Sequence, residues 1–217
     1  MTAPSPPSEG PGLVSMELVR LRMPLRHAHR AAHGSEAVRD LVLVGATFAD
    51  GTVGWGECSA LARPTYSSEH TAGAWLVLRD EVVPAVLAGR APQVVGHPMA
   101  SAAVLTALTD AVLQRVDRSL AVELAATLGT NPLTAVPTCA VVSRGDVIDD
   151  VLAQVADRVE QRVSLVKLKV TPDRRDLAAV GAVREAWPDL ALAVDFNGTA
   201  EADALVRLDR LHLEYVE

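Results

Sequence analysis

The chain has few aromatic residues, which make up 3% of its 217 positions. A core short of large rings must be packed by Ala, Val and Leu. With 49% of the chain apolar there is enough material to bury one. Cysteine is also scarce. Cys58 and Cys139 are the two present; they lie far apart and fit no metal-ligand spacing. That excludes a disulfide framework and a cysteine-based zinc site, and leaves two reduced thiols in or near the core. Basic residues are outnumbered, with a net charge of −7. No basic face is available to neutralise phosphates, so a nucleic-acid partner is excluded. No apolar run approaches the ~20 residues that a membrane span requires. The start, MTAPSPPSEGPG, has neither a basic segment nor an apolar h-region, so it does not read as a secretory signal. Its Pro, Ser and Gly content reads as a disordered lead-in over residues 1–13. These absences point to a soluble, cytoplasmic protein with no membrane partner.

What is present falls into two rhythms. Residues 14–25 alternate, with Val19, Leu21 and Met23 on one face and Arg20 and Arg22 on the other, as a half-buried strand does. A His- and Arg-rich loop is expected over 26–36, and a second strand over 38–49. Asp50-Gly51 suits the positive φ angles of a type I′ hairpin turn. A third strand, 52–58, contains Gly54 and Gly56, which suggest close approach of another backbone. After a loop at 59–68, Ser67 or Ser68 can cap a helix that has Glu69 in its first turn and is interrupted near Pro84. A further helix is expected over 98–116, with Leu105, Leu108 and Val112 at helical spacing. A shorter one covers 120–128 and ends at Gly129. From residue 136 onward, strand and helix alternate. Strands are expected at 137–142, 164–170, 190–196 and 213–217, with helices at 146–162, 173–187 and 201–211. Nearly continuous apolar strands in that alternation are the pattern of a parallel α/β sheet or barrel. A full (β/α)8 barrel takes ~250 residues, so 136–217 is either a small open sheet or half a barrel.

Chemistry-bearing residues close three successive apolar runs: Lys167-Leu168-Lys169, Asp195-Phe196-Asn197 and Glu217. Lys167 and Lys169 share a strand face. Side by side in a partly buried mouth they should depress each other's pKa, which would make a lysine a competent general base. Asp195 ends an apolar run, where a carboxylate is costly unless paired or metal-bound; Asn197 shares its face. Carboxylates without Cys or His neighbours suit Mg²⁺ or Mn²⁺ rather than zinc. Taken singly, the lysines could be surface residues at a strand end, and Asp195 the cap of the next helix. Together, positions 169, 195 and 217 are spaced one βα repeat apart, so in a barrel a base and two acids converge at one mouth. His27, His29 and His33 lack a carboxylate or cysteine at ligand spacing and read as a polar loop.

These segments resemble the enolase superfamily, in its muconate-lactonizing-type branch, and most closely the o-succinylbenzoate synthase / N-succinylamino acid racemase group. The resemblance is carried by Met23-Pro24-Leu25, Val38-Arg39-Asp40-Leu41, Gly54-Trp55-Gly56-Glu57-Cys58, and the loop Pro64-Thr65-Tyr66-Ser67-Ser68-Glu69. It continues through Gly96-His97-Pro98-Met99-Ala100, Asp110, and the three strand-end motifs, and covers essentially all of the chain from residue 14. It implies an α+β capping domain over residues 14–135, followed by the first half of an α/β (TIM-type) barrel over 136–217. It further implies that Lys169 removes a proton α to a carboxylate and that Lys167 helps hold the resulting enediolate charge. Asp195 and Glu217 would be two of three Mg²⁺ (or Mn²⁺) ligands, and Asn197, His33 and Tyr66 would line the substrate site. The implied substrate is a small-molecule carboxylate.

The implied reaction is the metal-dependent dehydration that yields o-succinylbenzoate, a step toward menaquinone. Racemization of N-succinylamino acids remains open, as does a non-catalytic fragment, and so does homo-oligomerisation of a full-length form. Two departures stand out. The first specificity loop reads Ala31-Ala32-His33-Gly34, where the group often has Thr-Ser-Phe-Gly or similar. The third metal carboxylate and a second catalytic lysine have no counterpart in these 217 residues, so the chain by itself is expected to be inactive.

Overall fold

The computed structural model describes residues 12–31 and 34–217. Residues 1–11 of the lead-in expected over 1–13, and His33, fall outside the described residues, and Leu13 already belongs to the first strand. The chain forms two compact units, one of residues 1–25 and 38–133, the other of 26–37 and 134–217.

A three-stranded sheet runs in the order β1 (Leu13–Ala31), β2 (Gly34–Phe48), β3 (Val53–Cys58), with residues 13–25 of β1, residues 38–48 of β2 and all of β3 in the first unit. The strand expected over 14–25 runs further than the sequence suggested, and the side chains it packs on the core are Leu13, Met16 and Leu18 rather than the expected Val19, Leu21 and Met23, of which Met23 is exposed. Residues 26–31 and 34–36, read as loop because they are polar, are extended strand. β2 and β3 are antiparallel, from Val42 opposite Cys58 to Thr47 opposite Val53. Their turn is not type I′, because Asp50 does not take a positive φ; Gly51 alone does, at 84°. The Gly51 N–H donates to the Phe48 carbonyl and the Phe48 N–H to the Thr52 carbonyl. That is the three-residue loop closed by a left-handed glycine, which asks for only one unusual residue.

The helical segment over 71–87 is continuous. α1 (Thr71–Val77) passes through a π turn (Leu78–Val82) into α2 (Val83–Leu87). Pro84 has no N–H to give to a carbonyl one turn back, and the widened turn absorbs that loss in place of the expected break. Its N-cap is His70, whose Nδ1 accepts from the Gly73 N–H at 3.5 Å, not Ser67 or Ser68.

The long helix α3 (Pro98–Arg115) and the shorter α4 (Leu120–Leu128) fall where the sequence put them. Gly129 ends α4 in the left-handed conformation at φ 65°. The buried residues of α3 are Ala100, Ala103, Val104, Ala107, Ala111 and Leu113, whereas Leu105 is 66% exposed and Val112 is also exposed. The cause lies in β3. A Cβ at Gly56 would sit 1.9 Å from the Ala103 carbonyl oxygen, and one at Gly54 would sit 2.0 Å from that of Ala107. Helix and strand backbones are in contact there, so the positions facing the two glycines, Ala103, Ala107 and Ala111, have room for no side chain larger than alanine.

The second unit alternates strand and helix: β4 (Cys139–Val142), α5 (Ile148–Glu160), β5 (Leu165–Lys169), α6 (Arg174–Ala186), β6 (Leu192–Asp195), α7 (Ala202–Leu208) and a 3₁₀ turn (Asp209–Leu211). β4, β5 and β6 pair in parallel in that order. Residues 213–217 continue the series beside β6 through a parallel bridge between Val194 and Val216. Glu214 N–H donates to Leu192, Glu217 N–H to Val194, and Phe196 N–H back to Glu217. Strand side chains alternate. Val166, Leu168, Leu192, Val194 and Phe196 pack with Val155, Val180 and Val183 from the helices. Lys167, Lys169, Asp195 and Glu217 are left for the opposite face.

Candidate active site

β5 carries both lysines on one face, and its neighbours supply the anions. Lys169 Nζ donates to Asp195 Oδ2 at 2.6 Å and to Asn197 Oδ1 at 3.0 Å. Lys167 Nζ donates to Glu217 Oε2 at 2.6 Å and lies 3.9 Å from Asp195 Oδ2. These distances follow from register. Lys169 is directly opposite Asp195 in the parallel ladder, and Glu217 follows the bridge to Val194 on the far side of β6. Three consecutive parallel strands thus bring two ammonium groups and two carboxylates into one cluster.

Asp195 is 2% exposed, so it cannot rely on water for its charge. Burial alone pushes its carboxyl pKa up. The hydrogen bond from Lys169, the backbone N–H of Asn197 and the charges of both lysines more than offset this, and the net shift is downward. The Asn197 N–H donates to Asp195 Oδ1 at 2.7 Å, an Asx-type turn that holds Asn197 left-handed at φ 49°. Asn197 therefore does not reach the cluster by strand alternation, as the sequence pattern suggested. β6 stops at Asp195, and a side chain-to-backbone bond bends the chain so that the Asn197 amide faces Lys169.

The expected mutual depression of the two lysines is also not what governs Lys167. Its pKa is raised, first by the hydrogen bond to Glu217, against an opposing effect of burial. Each ammonium has its own carboxylate, and a partner at 2.6 Å outweighs a like charge further along the strand.

Tyr66, the other expected substrate contact, belongs to the first unit, and its side chain is 72% exposed. Among the described residues no three His, Cys, Asp or Glu side chains gather as a metal-binding group. Asp195 and Glu217 are two oxygen-only donors. That set suits Mg²⁺, which is commonly held by one or two carboxylates with water or substrate completing its shell, and it suits zinc poorly.

Two groups escaped the sequence reading. Glu69 is not in the first turn of α1. Its buried carboxylate accepts the Met99 and Ala100 N–H groups at 2.8 and 2.9 Å, capping α3. Arg144 bridges to Asp173 and Asp176 at the start of α6. The Asp173-x-x-Asp176 spacing at a helix start was a visible cue; nothing in the sequence marked Arg144.

No family model matches the chain. The chain is 37% identical to an N-succinylamino acid racemase from Amycolatopsis sp, over 94% of this chain and 58% of that protein. It is 27% identical to an o-succinylbenzoate synthase from Listeria innocua, over 92% of this chain and 55% of that one. A crystal structure of an enolase superfamily member from Listeria innocua superposes with a TM-score of 0.80 at 26% identity, over 95% of this chain and 58% of that one. The chain is similar in sequence and fold to members of the enolase superfamily. It spans a little over half the length of the curated relatives it matches. These relatives are enzymes, and its mixed α/β architecture follows theirs. No helix among the described residues is long and apolar enough to cross a membrane.

Proposed function

We propose that this chain carries part of a metal-dependent active site that abstracts a proton α to a carboxylate, in the manner of o-succinylbenzoate synthase. The observation that carries the reading is the cluster itself: Lys169 and Lys167 on one face of β5, each 2.6 Å from a carboxylate on a following strand. In this reading residues 14–135 supply the superfamily's α+β capping domain. Residues 136–217 supply the first four strands of its barrel, each paired with the next along the chain.

The residues divide the labour by environment. Lys167, held protonated by Glu217, stays a fixed positive charge beside the substrate carboxylate. Lys169 is the proton carrier at the α carbon, with Asn197 and Asp195 fixing the direction of its amine. Asp195 and Glu217 are the side chains that would hold Mg²⁺ or Mn²⁺, which when bound supplies Lewis-acid stabilisation of the charge that develops on the substrate carboxylate. Asn197 adds a substrate contact in this assignment, while His33 and Tyr66 are assigned to the substrate by the resemblance alone.

Dehydration is compatible with two lysines that approach from one strand face. A single face serves to remove the α proton and to protonate the departing hydroxide. Racemization needs a base on each side of the α carbon. The 37% identity to an N-succinylamino acid racemase supports that second reading, and both reactions share the first step.

The test is a form of the protein spanning the full length of its relatives, incubated with Mg²⁺ in D₂O. Formation of o-succinylbenzoate is read by absorbance, and α-proton exchange in N-succinylamino acids by NMR. Lys169→Ala should abolish both. Exchange that survives in that variant reassigns the base, and inertness of the unaltered protein toward both substrates ends the proposal. The 217-residue chain alone is expected to show neither reaction.

A further inference from the structure

The loop between β5 and α6 is tied to the loop after β4 by a polar network that the chemistry above does not use. Arg144 Nε donates to Asp176 Oδ2 at 2.6 Å, and its Nη2 to Asp173 Oδ2 at 3.0 Å. Asp176 is 6% exposed. Its Oδ2 also accepts the Thr171 N–H at 2.8 Å, and the Thr171 hydroxyl lies 2.9 Å from both carboxylates. Asp173 Oδ1 in turn accepts the Asp176 N–H at 2.9 Å and caps the helix. A buried carboxylate with this many donors has one low-energy arrangement, and leaving any donor unpaired costs free energy.

The network begins two residues beyond Lys169. Between them, the Val170 N–H donates to the Asp195 carbonyl at 3.0 Å. Arg144, Asp176, Leu168 and Lys169 also wall one small cavity of about 10 Å³, no larger than a single water requires. The end of β5 is thus held from one side by β6 and from the other by Arg144 through Asp176 and Thr171.

We infer that Arg144 is a positioning residue for Lys169. Clamped between Asp173 and Asp176, it fixes the 170–173 loop and so the direction in which β5 presents the Lys169 amine. Lys167 lies two residues further back in the strand, with its own anchor on Glu217, and does not depend on this clamp. The inference rests on the assignment of Lys169 as the proton carrier, but its test does not.

The probe is acetic anhydride at limiting dose, with acetylation of each lysine read by peptide mass spectrometry on the 217-residue protein. Amide hydrogen exchange of residues 169–173 is measured beside it. Arg144→Met keeps the length of the side chain and removes both hydrogen bonds. It should raise Lys169 labelling and local amide exchange by about threefold or more, since local opening scales with the interactions lost. Lys167 labelling should stay unchanged. Arg144→Lys, able to reach one carboxylate, should restore part of the difference. If Arg144→Met does not fold, Thr171→Val removes a hydroxyl from the same two carboxylates and carries the same expectation. Unchanged Lys169 labelling in a folded variant overturns the inference, as does an equal rise at both lysines. In the full-length form the effect should appear in kcat with KM little changed. Absence of turnover there would count against the proposed reaction and leave the labelling result standing.

Discussion

Two hydrogen bonds of equal length in the lysine cluster should contribute very unequally to stability. Lys169–Asp195 and Lys167–Glu217 are both 2.6 Å. The side chain of Asp195 is 2% exposed and that of Glu217 is 57% exposed. Asp195→Asn keeps the shape of the side chain and its acceptor for the Asn197 N–H. It removes the charge between two ammonium groups at 2.6 and 3.9 Å. Breaking one half of a buried pair typically costs 3–5 kcal/mol, but the lysines here are 14% and 16% exposed and can recruit water, so about 2–3 kcal/mol is expected. Glu217→Gln opens an exposed pair and should cost about 1 kcal/mol or less. The assay is urea denaturation at pH 7, followed by hydrogen exchange of the β5 and β6 peptides so that the second unit is read separately. The sign of the pH effect is fixed by the direction of the shift. The folded pKa of Asp195 lies below its unfolded value, so its stabilisation is present above pH ~4 and is lost as pH falls through the folded pKa. The gap between the unaltered protein and Asp195→Asn should therefore shrink in acid. Equal costs for the two variants, or a gap that does not change with pH, would refute the argument from burial.

Two further outcomes concern the first unit. Gly56→Ala places a methyl group 1.9 Å from a backbone oxygen of α3; strand and helix must separate, at a cost of about 3 kcal/mol or more. Gly45→Ala, which meets the Trp55 ring at 3.1 Å, should be milder, and similar urea midpoints for the two would contradict the backbone-contact account. Glu69→Gln replaces a charged acceptor at the start of α3 with an amide and should cost about 1–2 kcal/mol. It should also speed amide exchange at Met99 and Ala100, and exchange that stays unchanged would show that the carboxylate is not the cap.

Local chemistry made much of this protein readable in advance. Apolar continuity and turn residues marked β4, β5 and β6 and the helices between them, because a strand buried against helices must be apolar throughout. Gly129 announced the end of α4, and Gly54 with Gly56 announced a close approach, because those conformations and contacts exclude a side chain. The lysines and acids at successive strand ends were visible for the same reason: a polar group closing an apolar run needs a partner. Other features depended on distant residues. The polar 26–31 segment is extended strand, which side-chain polarity does not report. Leu105 and Val112 turned outward because Gly54 and Gly56 on another strand draw α3 in along its alanines 103, 107 and 111. Lys167 was not driven toward neutrality, because Glu217, fifty positions away in sequence, sits 2.6 Å from it. The residue types and their spacing were therefore fixed by sequence alone. Which carboxylate answers which ammonium, how deep each lies and what Arg144 holds were decided only in three dimensions, because burial and pairing depend on distances between segments that local composition does not specify.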